Sequence, residues 1–166
     1  MDITIRPARD EELDEVGELT AQAYLLDGLV EFGEDDPYLE TLRAARRRAL
    51  HTEVLVAVGS AQQRVLGAVA FVGDGGEYAD LAGPGEGEFR MLAVRSEARG
   101  RGAGEALVRA CVERAREQGL IRLLLCSQER MTTAHRLYER LGFVRAPEKD
   151  WAPYPNLMLR AYALEL

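Results

Sequence analysis

The chain has 166 residues, 47% of them hydrophobic and 30% charged, with a formal net charge of −7 at pH 7. That length suits one domain, expected to run over 1–166, and that balance excludes a disordered chain. The acid excess argues against nucleic acid as a partner, and two cysteines are too few for a disulfide framework. The longest apolar runs, such as Leu123–Cys126 and Leu66–Val72, fall far short of a bilayer, so no membrane partner is expected. The N-terminus is acidic and punctuated rather than basic then apolar, so no signal peptide is read and the expected location is cytoplasmic.

Ile3–Arg6 alternates apolar and polar residues ahead of Pro7 and predicts a short strand. Asp10 is a good helix cap, and Leu13, Val16, Thr20, Ala23 and Tyr24 recur at helical spacing, which predicts a helix over Asp10–Tyr24. The pattern loosens from Leu25 to Asp36, a loop with an acidic cluster at Glu31, Glu34, Asp35 and Asp36. Asp36-Pro37 then opens a second helix with Tyr38, Leu42, Ala45 and Ala49 as its inner stripe. Arg46-Arg47-Arg48 reads as a solvated face of that helix.

Glu53–Val58 and Val65–Val72 predict two strands joined as a hairpin through Gly59-Ser-Ala-Gln-Gln. Gly73–Gly87 is too rich in glycine for regular structure and reads as a long loop, of the kind that is functional or mobile, leading directly into the next strand. Glu88–Val94 returns as a strand. If its alternation is unbroken, Glu88, Arg90, Leu92 and Val94 share one face, while Phe89, Met91 and Ala93 share the other.

Gly102–Gln118 is the clearest helix, closed by Gly119 as a left-handed cap. Leu120–Cys126 predicts a central strand. Thr132 or Thr133 caps a further helix with Ala134, Leu137, Tyr138 and Leu141 as its stripe and Gly142 as its stop. Phe143–Arg145 resumes as strand, a turn-rich loop passes through Pro147, Trp151, Pro153 and Pro155, and Leu157–Leu166 is a last strand. The expected fold class is α/β, one domain with a mixed sheet of about seven strands flanked by about four helices.

Between the strand at Glu88–Val94 and the helix after it lies Arg99-Gly-Arg-Gly-Ala-Gly104. Gly100, Gly102 and Gly104 let the backbone turn sharply and a ligand approach it closely. Amides opening the helix lack internal partners and sit at its positive end, a place for phosphate, and Arg99 and Arg101 add guanidinium groups. Two common phosphate signatures fail. A P-loop needs Gly-Lys-Ser/Thr, whereas Gly104 is followed by Glu105 and Ala106, and the third glycine of a dinucleotide fingerprint would fall at Glu105.

What remains resembles the acyl-CoA-binding motif of the GNAT superfamily of N-acetyltransferases, Arg/Gln-x-x-Gly-x-Gly/Ala, matched by Arg99, Gly102 and Gly104. A second match, Ala134-His-Arg-Leu-Tyr-Glu-Arg-Leu-Gly-Phe143, is similar to the family's Ala-x-x-Leu-Tyr-x-x-x-Gly-Phe segment, and the opening Ile3-Thr-Ile-Arg-Pro-Ala is also family-like. The resemblance implies acetyl-CoA as co-substrate, no metal, and a small-molecule or peptide amine as acceptor. Homodimers are common on that fold. It implies that amides of Met91, Leu92, Ala93 and Val94 pair with the pantetheine arm, after a bulge that would shift the strand's parity. It further implies that Arg99, Gly100, Arg101, Gly102, Ala103 and Gly104 hold the pyrophosphate.

Transfer of an acetyl group to an amine also needs a neutral nucleophile and a protonated leaving thiolate. Glu88 is the candidate base; its other reading is a strand-edge carboxylate. A lysine amine with a pKa of about 10.4 would need a base at pH 7, whereas an α-amine near about 7.7–8.0 is roughly a tenth neutral already. Tyr138 occupies the family's tyrosine position, which implies a general acid; its helical stripe alone implies a packed aromatic. His135 reads as a surface residue, and Cys126 has no recognisable His partner, so direct attack is expected over a covalent acyl-enzyme. Many relatives carry asparagine where Met131 stands here, and Ser127 or Gln128 could supply that polar contact. Alternatives of the same fold are a non-catalytic acyl-CoA-binding sensor and a transferase for a longer acyl group.

Overall fold

A computed structural model describes residues 2–60, 64–73, 78–155 and 157–166. Its eight strands are β1 (Ile3–Pro7), β2 (Glu53–Gly59), β3 (Val65–Val72), β4 (Glu86–Val94), β5 (Arg122–Gln128), β6 (Val144–Arg145), β7 (Trp151–Tyr154) and β8 (Leu157–Glu165). Five helices accompany them: α1 (Leu13–Leu26), α2 (Tyr38–Arg43), α3 (Ala45–Ala49), α4 (Ala103–Glu117) and α5 (Thr132–Arg140). The strands hydrogen-bond in the order β1-β2-β3-β4-β5-β8-β6, with β7 also on β8. The β4–β5 pair is parallel, so the expected α/β class with a mixed sheet is what the chain adopts. None of the helices in the described residues is long and apolar enough to cross a membrane.

The chain forms two compact units, Met1–Phe71 with Met91–Cys111, and Val72–Arg90 with Val112–Leu166. In the first, β1 and β3 flank β2 in antiparallel pairs. Residues 61–63 of the expected hairpin turn lie outside the described residues, but Gly59 N still donates to Arg64 O at 3.2 Å across its base. Leu13, Val16, Leu19 and Ala23 of α1 pack on Val54, Val56, Val58, Val65, Ala68 and Ala93. Each of these leucines and valines, fully buried, contributes about 1.5–3 kcal/mol, and each alanine less. Gly17 belongs to α1 because nothing larger fits: a Cβ there would lie 2.1 Å from the Arg43 carbonyl oxygen.

The helix expected from Asp10 starts three residues later, after a 3-10 turn over Asp10–Glu12. The carboxylate that caps this start is Glu12 rather than Asp10, and it closes the 3-10 turn rather than α1 itself. Glu12 accepts from the Arg9 amide at 2.8 Å and from both terminal nitrogens of Arg6 at 2.8 and 2.9 Å. That anchor to β1 outcompetes the local cap. The second expected helix is broken at Ala44, whose ψ of 54° stops α2 before α3 begins. Arg48 explains the break. It is buried, not solvated, and its guanidinium donates to the carbonyls of Thr41 and Leu42 at 3.0 and 3.2 Å, satisfying the end of α2 from outside the helix.

In the second unit β5 is buried through Leu123, Leu124 and Leu125 and pairs along its length with β8. The expected loop around Trp151 contains β7, a short edge strand on β8. Pro153 hides it in sequence, yet proline is compatible with a strand edge whose N–H has no ladder partner. The loop expected over Gly73–Gly87 is shorter than its composition suggests, since Glu86 and Gly87 already pair with Arg122 and Leu123; residues 74–77 lie outside the described set. Helix α5 begins at Thr132 with Met131 at the cap position, so neither threonine caps it through its side chain. Gly119 and Gly142 end α4 and α5 in the left-handed region, with φ of 71° and 99°.

Candidate active site

The alternation of β4 is interrupted at Met91, a non-glycine residue with φ of 57°. For an L-residue that conformation costs about 1–2 kcal/mol. Burial holds it there, because Met91 packs among Ala21, Val30, Leu39 and Leu42. Beyond it Arg95 fixes the strand end, its amide donating to Leu66 O at 2.8 Å and its Nε to Val65 O at 2.7 Å. A 3-10 turn over Ser96–Ala98 then delivers Arg99–Gly104 to the start of α4.

Gly100 and Gly102 have φ of 79° and 88°, and a Cβ on either would meet nothing within 4 Å. Glycine is needed there for backbone conformation and leaves open space beside the chain. The first bond of α4 runs from Ala106 N to Gly102 O, so the first-turn amides before it have no partner within the helix. The guanidinium of Arg99 is not directed at this loop. It pairs in bidentate fashion with Asp27, at the C-cap of α1, at 2.7 and 3.0 Å.

In the second unit Glu88 is fully buried, at 0% exposure. Its Oε1 accepts from the amides of Asp80, Leu81 and Ala82 at 3.0, 2.9 and 3.0 Å, while Oε2 is buried without a hydrogen bond. Burial pushes the carboxyl above its usual range, and the Leu81 and Ala82 amides and Arg90 pull the other way. Arg90 in turn donates to Tyr78 O at 3.0 Å and pairs with Asp80 at 3.2 Å. The loop over residues 80–82 is therefore clamped to β4 by two side chains of one face. Leu81 and Ala82 pack there on Leu124, Ala146, Ala161 and Ala163.

Tyr138 is on the opposite face. Its ring packs edge-on against Phe89 and Phe143, with centroids 6.0 and 6.1 Å away, and it lies 6.0 Å from Tyr162. Since Phe89 and Glu88 are neighbours on one strand, their side chains leave it in opposite directions. The structure thus gives Glu88 and Tyr138 separate sides of β4.

His135, expected at the surface, is buried at 6% exposure on the Tyr138 side. Its Nε2 is 3.1 Å from Ser127 Oγ and its ring is 5.3 Å from Tyr162. Burial lowers its pKa, with the Gln128 carbonyl acting in the opposite sense. The Ser127 hydroxyl also reaches Met131 Sδ at 3.5 Å. The histidine therefore partners Ser127, not Cys126. Burial and the Glu88 charge push the Cys126 thiol up to about 11, and the nearby Trp151 indole N–H acts against them. A thiol held neutral in this way is a poor nucleophile.

Sequence reasoning assigned no role to Asp27, Arg90 or Trp151 and placed His135 at the surface. His135 and Tyr138 are three residues apart on α5, close enough to share a face. The other three owe their places to partners distant in sequence.

Residues 14–143 match the Acetyltransferase (GNAT) family. A mycothiol acetyltransferase of Thermobispora bispora is 44% identical over 59 residues, which are 36% of this chain and 20% of that protein. The chain therefore spans about a fifth of the length of that curated relative. Among solved structures, an acetyltransferase of the GNAT family from Staphylococcus aureus superposes with a TM-score of 0.75 at 17% identity, covering 99% of each chain. The yncA protein of Salmonella typhimurium, with its cofactor acetyl-CoA, gives 0.71 at 21% identity, covering 100% of this chain and 95% of that one. The likeness in fold spans nearly the whole chain, and the matched segment takes in β4, the glycine loop, α4 and α5. By that match the chain belongs to the acetyltransferase (GNAT) family.

Proposed function

We propose that residues 1–166 act as one transferase domain that moves an acetyl group from acetyl-CoA to a primary amine by direct attack. The observation that carries this reading is the left-handed Met91, followed within one strand and one turn by open glycines at the head of α4. Backbone held in a strained conformation by its surroundings is characteristic of ligand clamps. In this reading the amides of Met91, Leu92, Ala93 and Val94 take the pantetheine arm. The backbone of Arg99, Gly100, Arg101, Gly102, Ala103 and Gly104 takes the pyrophosphate. The helix end contributes about 0.3–1 kcal/mol, so hydrogen bonds from several amides must supply most of the affinity.

Glu88 receives the proton of the attacking amine on Oε2, since Oε1 is saturated by three amides. As the C–N bond forms and the C–S bond breaks, the Tyr138 phenol gives its proton to the departing thiolate. Thiol release from acetyl-CoA across polyamines, aminoglycosides, amino acids and peptides tests the proposal. Release with one amine class supports it. Binding of acetyl-CoA with no release for any amine would leave a non-catalytic acyl-CoA binder in its place.

A further inference from the structure

Glu86 and Glu88 stand two residues apart on β4, and between them they take four consecutive backbone amides. Glu88 Oε1 accepts from Asp80, Leu81 and Ala82, and Glu86 Oε1 accepts from Gly83 at 3.0 Å. A carbonyl of the same loop is met by a charge: Lys149 Nζ donates to Leu81 O at 3.2 Å. Lys149 ends a 3-10 turn over Pro147–Lys149, and Ala146, just before that turn, packs with Leu81 and Ala82. The ammonium also lies 3.7 Å from Glu86 Oε1, which holds it beside the loop.

The carbonyl of Leu81 and the N–H of Ala82 belong to one peptide unit. A single planar group therefore receives the ammonium at its oxygen and gives its hydrogen to Glu88 Oε1 at 3.0 Å. A cation on the oxygen strengthens donation from the nitrogen, because hydrogen bonds in a chain polarise one another. The same cation attracts the carboxylate through space. Both effects favour ionised Glu88 and oppose the burial that favours its neutral form. Among the described residues, the other charged groups around Glu88 offset each other: Arg90 pairs with Asp80 at 3.2 Å, and Glu86 pairs with Arg122 at 2.8 Å. Cys126, beside Glu88 on β5, is held as a neutral thiol.

We infer that Lys149 is a positioning residue for the proposed base: it fixes the Leu81–Ala82 peptide against Glu88 and, through that peptide, keeps the carboxylate ionised. The inference rests on the transferase reading for its consequence in catalysis, but the effect on Glu88 is measurable without turnover. Lys149 is the single lysine of the chain, so its amine can be altered chemically as well as by substitution.

Infrared difference spectra against Glu88→Gln isolate the Glu88 carboxyl band, and a pH series with no acceptor present gives its titration midpoint. Lys149→Met keeps the bulk of the side chain and removes its charge. It is expected to raise that midpoint by about half a pH unit, and Lys149→Arg, which keeps the cation, is expected to restore it. The acid limb of kcat/KM should move by the same amount, a roughly threefold loss on the acid side. Should Lys149→Met fail to fold, acetylation of the folded protein with acetic anhydride neutralises the same amine, and Lys149→Arg treated identically controls for any other group modified. A raised midpoint with no turnover, or with the acid limb unmoved, would sink Glu88 as the base and keep its coupling to Lys149. An unmoved midpoint, whatever happens to the rates, or an equal rise in Lys149→Arg would overturn the inference.

Discussion

Asp27 grips both terminal nitrogens of Arg99, at 2.7 and 3.0 Å, and so ties the end of α1 to the start of the glycine loop. The pair sets a carboxylate at a helix C-terminus, where the helix dipole disfavours it, and the guanidinium offsets that charge. Sequence alone implied that Arg99 faces phosphate; its side chain faces Asp27.

Asp27→Asn should therefore release the guanidinium and remove a negative charge beside the proposed pyrophosphate site. Affinity for acetyl-CoA is expected to tighten a few-fold, more at low salt than at high, since exposed charges are screened. Stability should change by less than about 1 kcal/mol, the usual limit for an exposed pair. Titration calorimetry at two salt concentrations measures this. Weaker binding would mean that Asp27 orders the loop rather than competing for Arg99.

Tyr138→Phe keeps the ring among Phe89, Phe143 and Tyr162 and removes only the phenol. A general acid contributes typically about 10²–10⁴-fold, so kcat should fall by at least about a hundredfold with acetyl-CoA affinity unchanged. Steady-state kinetics beside direct binding gives the split, and unchanged turnover would remove Tyr138 from the chemistry.

Glu88 titrates above the ordinary carboxylate range because of its burial, and a base works only when deprotonated. The acid limb of kcat/KM should lie above about pH 4.3, the value for an unperturbed glutamate. Glu88→Gln should abolish that limb. The sign for stability is the reverse. A raised pKa means that the fold favours the neutral carboxyl, so its contribution is full below the unfolded value and is lost as pH rises through the folded one. Rate profiles and denaturation midpoints on the same pH series check both halves.

Gly17→Ala puts a methyl 2.1 Å from the Arg43 carbonyl oxygen, and backbone cannot swing aside as a side-chain end can. Overpacking of this kind is destabilising by about 1–3 kcal/mol, which a urea midpoint would register. A neutral result would show that α2 shifts freely against α1.

Much of this architecture was legible because local and long-range preferences agree. The apolar runs of β2, β3 and β5, the amphipathic stripe of α5 and the stops at Gly119 and Gly142 each carry their signal within a few residues. Where the reading departed from the fold, a distant partner had overruled a local preference. Glu12 displaced Asp10 as a cap because Arg6 is within reach, and Arg48 ended α2 by satisfying its carbonyls. The edge strand β7 gains its ladder from β8, while its own sequence carries a proline. For the candidate site, Tyr138 was singled out by motif and Glu88 as a carboxylate on the strand before the glycine loop, but their placement on opposite faces depends on which neighbours each one packs against. His135 was misjudged because nothing in its own segment announces Ser127 as a partner.

Strand β8 pairs with β5 along one edge and with β6 and β7 along the other. On the ribosome, then, β5, α5, β6 and β7 all emerge before the strand they dock against. Until Leu157–Glu165 has been made, Leu123–Leu125 offers an unpaired apolar edge, the kind of surface that recruits chaperones or other nascent chains. Assembly of this half of the molecule must wait for β8, and a ribosome stalled short of it leaves β5 without the strand that joins it to β6 and β7.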